Sequence, residues 1–336
     1  MTPSQRKPTA HDVARMAQVS SATVSYVLSG RRSGAPRVSA ETRARVLAAV
    51  AALGYAPNQA ARALRRSRTE RVCLLLTRLG VPSFDLLAQA VQRSADQHGY
   101  SVIITIGDSP VRAQQALEQL RRGLADGAII ACDLAQRDAD ALVASGVAVV
   151  AMGNPITGVG IDSVRTTEIG ACYEATQYLI ARGHRRIAFL GLPPNDPRPS
   201  RYQGYARALS DADIAVDPLL VQSSAGSREE AYASTRRLLQ HGRPPTALLA
   251  AADIAAMSAI MAARDLGLRV PDDLAVIGVG NLPEGEMMHP RLTTVGQQPL
   301  EFETTAELLF SRLRGEAPAE GRTLIHPWRL IIREST

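Results

Sequence analysis

The chain has 336 residues, 46% of them hydrophobic and 21% charged, with a formal net charge of +6 and three cysteines. That length and apolar content imply more than one globular domain with a sizeable core, and exclude a disordered chain or a disulfide-stapled scaffold. With no run of eighteen apolar residues and no apolar signal core ahead of residue 9, the expected setting is the cytoplasm, with no membrane partner.

Residues 9 to 30, TAHDVARMAQVSSATVSYVLSG, read as two short helices joined by a turn. Thr9 can cap a first helix from about His11 to Ala17. Gln18 and Val19 make the turn, and Ser20 caps a second helix that ends near Leu28. On a helical wheel Val24, Val27 and Leu28 share one side, where they can meet Val13, Ala14, Ala17 and Val19. Ser21, Ala22, Ser25 and Tyr26 share the other side, and Thr23 sits at its margin. Small or hydrogen-bonding side chains on the outward face suit a helix that enters a DNA major groove, and the marginal threonine suits a phosphate.

The same spacing also fits a helical hairpin buried in a core, and charge decides between the two. Thirteen of the 38 basic residues fall at or before Arg71, against three of the 32 acidic ones, so this segment carries +10 and the remainder −4. A basic head on a mildly acidic body is the electrostatic footprint of a nucleic-acid module, with double-stranded DNA as the expected partner.

From Ser39, SAETRARVLAAVAALGY reads as a capped third helix with Val46, Val50 and Leu53 at helical spacing, ending at Tyr55. Next comes the basic segment PNQAARALRRSRTER, in which Pro57 stops the preceding helix and Asn58 can cap a new one. It reads as a linker that becomes helical when docked, or as a plain solvated linker. From Arg71 onward, apolar strand-like runs (RVCLLLT, YSVIITI, DGAIIA, VAVVAM) alternate with amphipathic helices. A second series does the same (RRIAFLG, TALLAA, LAVIGV), and HPWRLIIRE reads as one final strand. Such alternation predicts parallel sheets with helices on both faces, and its repetition over about 265 residues predicts two lobes with a ligand cleft between them.

No phosphate-cradling glycine loop stands at a strand-to-helix junction, no GxSxG elbow occurs, and the histidines are scattered. Neither catalysis nor a cofactor is therefore expected. Cys73, Cys132 and Cys172 lack CxxC spacing and lie in or beside apolar segments, so buried thiols are expected and a metal site is not.

The segments DVARMAQVSSATVSYVLSG and VSAETRARVLAAVAALGYAPNQAARALR resemble the lactose/galactose repressor family of bacterial transcription regulators, and the motif order spans the chain. The resemblance implies a nucleoid-associated regulator with a headpiece over residues 1–56, a hinge over 57–70, and a two-lobed periplasmic-binding-protein-like core over 71–336, the chain crossing between lobes three times. It implies a homodimer on a pseudo-palindromic operator, most often as a repressor. By position, Ser21, Ala22 and Tyr26 would face bases, while Thr9, Thr23, Ser25, Tyr55 and Asn58 would approach phosphates. Leu64 would be an apolar wedge in the minor groove.

Two departures mark the head. Gln18 stands where the family usually has glycine, so it must tolerate a glycine-like turn at some strain, and Tyr26 stands where a basic residue is frequent. An insertion, RRSGAP, adds Arg31 and Arg32 as further phosphate contacts or as a loose loop.

The resemblance places Thr77, Phe84, Arg201, Asp253 and Gln297 around a small-molecule effector, with Asn281 where the family carries acids and Gly153 where it carries aspartate. Fewer carboxylate and amide acceptors argue against an ordinary hexose. Three alternatives stand: a less hydroxylated or anionic molecule held through Arg201, the favoured one; a lost effector; or a familiar sugar held by backbone groups. Sugar derivatives, nucleosides and organic acids are the candidate classes. The absence of leucine heptads after HPWRLIIRE points to a dimer rather than a tetramer. A periplasmic solute receptor would lack the basic head, and a nucleotide-dependent enzyme would need the missing phosphate loop.

Overall fold

The computed structural model describes residues 8–29, 38–55, 68–153, 155–191, 201–223 and 227–336. The sequence expectations for Arg31, Arg32, Asn58, Leu64 and most of the linker lie outside them. Contacts divide the chain into two compact units, Met1–Glu70 and Arg71–Thr336.

The first unit holds helices α1 (Ala10–Ala17), α2 (Ser21–Ser29) and α3 (Ala40–Leu53). Each start has a sequence cause. Thr9 and Asp12 form a reciprocal capping box at α1. Ser20 Oγ accepts from the Thr23 amide at 3.1 Å, and Ser39 Oγ accepts from the Thr42 amide at 3.1 Å. Between α1 and α2 the chain turns through Gln18 at φ 55° and ψ 48°, the left-handed region that glycine occupies without cost. Val13, Ala14, Ala17, Val24, Val27, Val46 and Ala49 close a small core, with Val19, Leu28, Val50, Leu53 and Tyr55 packed around it.

The second unit holds two six-stranded sheets. Strands β1 (Arg71–Leu76), β2 (Ser101–Ile106), β3 (Gly127–Ala131), β4 (Ala148–Met152), β5 (Ile161–Thr166) and β11 (Thr323–His326) form the first, in the order β11-β5-β4-β3-β1-β2. Strands β6 (Ile187–Gly191), β7 (Val221–Ser223), β8 (Ala247–Ala250), β9 (Ala275–Val279), β10 (Thr293–Gly296) and β12 (Arg329–Ile331) form the second, in the order β12-β10-β9-β8-β6-β7. Every pairing is parallel except that of β10 with β12. Strands in the middle of each sheet are mostly apolar because helices cover both faces, as in β1, where Val72 to Leu76 are all buried.

Helices α4 (Pro82–His98), α5 (Pro110–Arg121) and α6 (Gln136–Ala144) follow strands of the first sheet. In the second lobe come α7 (Glu168–Ala181), α8 (Arg201–Ser210), α9 (Arg228–Leu239), α10 (Asp253–Asp265) and the short α11 (Glu284–Met287). Helix α12 (Glu303–Leu313) returns to the first sheet, where Ala306, Leu309 and Phe310 join Val72, Leu74 and Leu76 in one cluster.

The chain thus passes between sheets three times: from Thr166 to Glu168, from Gly296 to Glu303, and from His326 to Arg329. The last passage corrects the reading of HPWRLIIRE as one strand. Pro327 has no amide hydrogen with which to continue a ladder, and the segment is split between β11 in one sheet and β12 in the other. Among the described residues no helix is long and apolar enough to cross a membrane.

One buried ion cluster ties the edge of the first sheet to α12. Asp162 on β5 is fully buried and accepts from Arg312 Nε and Nη2 at 3.0 and 2.7 Å, and from the Arg322 amide, Nε and Nη2 at 2.8, 3.1 and 2.6 Å. Burial alone would push its carboxyl up; the hydrogen bonds from Arg322 and Arg312 outweigh this and hold it below the usual range. Removing one partner of such a cluster strands the rest, so Asp162→Asn should lower unfolding free energy by about 3 kcal/mol. Urea melts of the two proteins check this, and a loss below about 1 kcal/mol would contradict the cluster's role.

Candidate nucleic-acid interface and ligand cleft

On α2 the predicted division into two faces is observed. Val24 and Val27 are buried in the head core, whereas Ser21, Ala22 and Ser25 are exposed and Thr23 and Tyr26 half-buried. Two hydroxyls of the expected phosphate set are already engaged: Thr9 Oγ1 donates to Asp12 Oδ2 at 2.7 Å, and Thr23 Oγ1 lies 2.9 Å from Ser20 Oγ. Tyr55 is half-buried against the core and its amide donates to the Val50 carbonyl at 3.0 Å.

The second site follows from strand direction. Each of the three passages leaves the carboxyl end of a strand, β5, β10 or β11, so the carboxyl edges of both sheets face the same connecting segments. First and third passages are tied together, since Thr167 N donates to the His326 carbonyl at 3.3 Å and Trp328 N donates to Thr167 Oγ1 at 2.8 Å. Thr77 directly follows β1 and is half-buried. Phe84 on α4 packs partly against the first-sheet core. Asp253 follows β8 at the start of α10, Asn281 follows β9, and Gln297 follows β10.

Arg201 opens α8, which Gly204 lets approach the start of α7: a Cβ at that glycine would stand 2.2 Å from the Ile169 carbonyl oxygen. Close approach brings Arg201 Nε to 2.7 Å from Glu168 Oε2, and Arg201 Nη1 donates to the Ala251 carbonyl. The guanidinium also lies over the ring of Trp328, 5.1 Å from its centroid. Arg201, the side chain expected to hold a less hydroxylated or anionic ligand, is therefore already paired with a carboxylate of the chain itself. The sequence reading missed both Glu168 and Trp328. Trp328 is the chain's single tryptophan, but nothing in its local pattern tells that it faces an arginine 127 positions away.

The remaining residues form a chain of hydrogen bonds. Asp253 is 1% exposed and accepts from Thr294 Oγ1 at 2.6 Å and from the Leu282 amide at 2.7 Å. Asn281 takes φ 52°, which its short polar side chain tolerates; its Nδ2 donates to the Gln297 carbonyl at 2.8 Å and its Oδ1 accepts from Arg333 Nη2 at 2.7 Å. Arg333 is in turn paired with Glu286 at 2.7 Å. All three cysteines are buried, and burial pushes Cys172 up to about 12. Among the described residues no group of three His, Cys, Asp or Glu side chains could hold a metal ion.

Burial raises the Asp253 carboxyl to about 6, against the lowering effect of its bonds from Thr294 and Leu282. An acid whose folded pKa exceeds its unfolded value stabilises the fold below the unfolded value, and that contribution disappears as pH rises through about 6. On acidification from pH 7 to 5 the wild type should gain melting temperature relative to Asp253→Asn, which cannot titrate. Scanning calorimetry at both pH values checks this, and an unchanged difference would contradict it.

A capped helix pair with a small polar outward face, preceding a two-lobed α/β body, is the architecture of a DNA-binding transcriptional regulator. Residues 9–58 match the family described as bacterial regulatory proteins, lacI family, and residues 176–336 match the periplasmic binding protein-like domain. The ribose operon repressor of Haemophilus influenzae is 33% identical over 331 residues, covering 97% of this chain and 98% of the relative. A PurR repressor of Mannheimia succiniciproducens is 32% identical over 336 residues, with the same coverage. Among solved structures, the Lac repressor dimer bound to operator and the anti-inducer ONPF aligns with a TM-score of 0.79 at 28% identity, covering 98% of this chain and 99% of that one. The CelR–cellobiose complex aligns at 0.68 and 30% identity, covering 98% and 100%. The chain belongs to the LacI family. Its relatives are transcriptional regulators, not enzymes.

Proposed function

We infer that this protein is a repressor that binds a pseudo-palindromic operator as a homodimer, with DNA affinity set by a small hydroxyl-bearing molecule in the cleft. The observation that carries the DNA half is α2 itself, where Val24 and Val27 anchor one face in the head core and leave Ser21, Ala22 and Ser25 exposed on the other. In this reading Ser21, Ala22 and Tyr26 meet base edges, and Thr23, Ser25, Tyr55 and Asn58 meet phosphates. Thr9 acts through the cap that presents the start of α1, and Leu64 wedges into the minor groove. The headpiece is residues 1–56, the hinge 57–70 and the effector core 71–336. The protein works in the cytoplasm on the nucleoid, and the operator-bound Lac repressor dimer supports the assembly.

Cleft contacts come from Thr77, Phe84, Arg201, Asn281 and Gln297. Asp253, with both oxygens already accepting internal donors, positions the loop after β9 rather than touching ligand. Sugar derivatives and nucleosides are favoured over organic acids because Arg201 is paired with Glu168. The CelR complex with cellobiose and a LacI-family regulator of Enterococcus faecium with bound ribose support that class. Ligand that prefers one arrangement of the lobes alters the spacing of the two hinges in the dimer, and through it their fit to DNA.

Genome-wide mapping of bound DNA should return a pseudo-palindromic site. On that site Leu64→Ala should weaken specific binding at least about tenfold more than binding to random duplex, and Tyr26→Ala should relax preference at one position in each half-site. Equal losses on both duplexes would reject the wedge.

A further inference from the structure

An arginine in a ligand cleft invites an anionic ligand, yet the second-lobe wall presents little net positive charge. Arg201 Nε donates to Glu168 at 2.7 Å, and both side chains are about equally exposed, at 29% and 30%. Burial works against the Arg201 charge, and Glu168 beside it, together with Cys172 and Asp253, more than offsets that effect. A second cation near Asp253, Arg333, is matched by Glu286 at 2.7 Å. Asp253 adds further negative character close to both arginines. The Arg201 guanidinium also lies over the Trp328 ring, so in the proposed cleft the Arg201–Glu168 pair would offer ligand a neutral polar edge beside an aromatic surface.

We propose that Glu168 is the charge-selecting residue of the cleft: by holding Arg201 as a neutral pair it excludes phosphate and carboxylate ligands and leaves the site to uncharged ones. The proposal rests on the reading of this cleft as the effector site. Nothing at the level of residue type announces this role. Glu168 is an ordinary first-turn acid on α7, favourable there for the helix dipole, and acquires its partner only because Gly204 lets α8 close on α7. Its carboxylate is a fixed competitor for the same fork of donors that a ligand carboxylate or phosphate would need. An anion entering must either displace Glu168 or sit beside its charge; a hydroxyl can join the pair, accepting from Arg201 and donating to Glu168.

Trp328, the chain's single tryptophan, reports the local charge without any knowledge of the natural ligand. Its fluorescence in the full-length protein is quenched by iodide, an anion, and separately by acrylamide, which is neutral. Glu168→Gln keeps an oxygen that can accept from Arg201 but removes the negative charge. The iodide quenching constant should then rise about threefold relative to acrylamide, the enrichment expected for one uncompensated unit charge at the ring. Glu168→Ala should do the same, and adding Arg201→Met to either should return the ratio to the wild-type value. The acrylamide constant guards against unfolding, because a disordered variant raises both.

An iodide-to-acrylamide ratio unchanged in both Glu168 variants would overturn the proposal. So would a wild-type melting temperature raised by ribose 5-phosphate at concentrations where ribose raises none. Failure of the effector reading looks different: the quenching ratio would still respond to Glu168 while no uncharged metabolite shifted the melting temperature.

Discussion

Parallel strand pairing is the constraint on which the body of this protein depends. When neighbouring strands run the same way, their carboxyl ends collect on one edge, and so do the loops and helix starts that follow them. Three passages leave from that edge, after β5, β10 and β11, and lead to the other sheet. Residues distant in sequence therefore collect at these carboxyl edges: Thr77 after the first strand, Asp253 and Asn281 after β8 and β9, and Trp328 in the final passage. A bond between Thr167 and Trp328 joins two of the three passages.

Charge is handled differently in the two units. The head gathers thirteen cations against three acids, an excess that attracts a polyanion at long range and makes binding sensitive to salt. The body pairs its interior charges locally: Asp162 with Arg312 and Arg322, Arg201 with Glu168, Arg333 with Glu286. Such pairs contribute modestly to stability because desolvation offsets attraction, but they fix geometry, and in a cleft they decide which ligands find a free partner.

Much of this was legible in the sequence. Caps at Thr9, Ser20 and Ser39 and the apolar faces of the head helices are local signals, written in neighbouring residues, whereas the αL turn at Gln18 was legible only through the family's glycine at that position. Apolar central strands such as β1, β3, β6 and β9 were equally plain, because burial on both faces leaves a run of hydrophobic residues. Strand β5 was not, since it carries Asp162 in its interior and only its arginine partners, 150 and 160 positions away, make that tolerable. Trp328 and Glu168 escaped for the same reason: each is unremarkable beside its chain neighbours and acquires meaning through contacts across the fold. The splitting of HPWRLIIRE between sheets had a local cause in Pro327, but which sheet each half joins is a tertiary fact.

In the proposed function α2 reads duplex sequence while the basic head supplies a sequence-blind attraction. Fluorescence anisotropy of the full chain on its mapped site and on a scrambled duplex of equal composition, from roughly 50 to 200 mM salt, separates the two contributions. Affinity for both duplexes should fall steeply with salt while the mapped site stays favoured by at least about 1,000-fold. Identical affinity for the two duplexes across the whole salt range would contradict it.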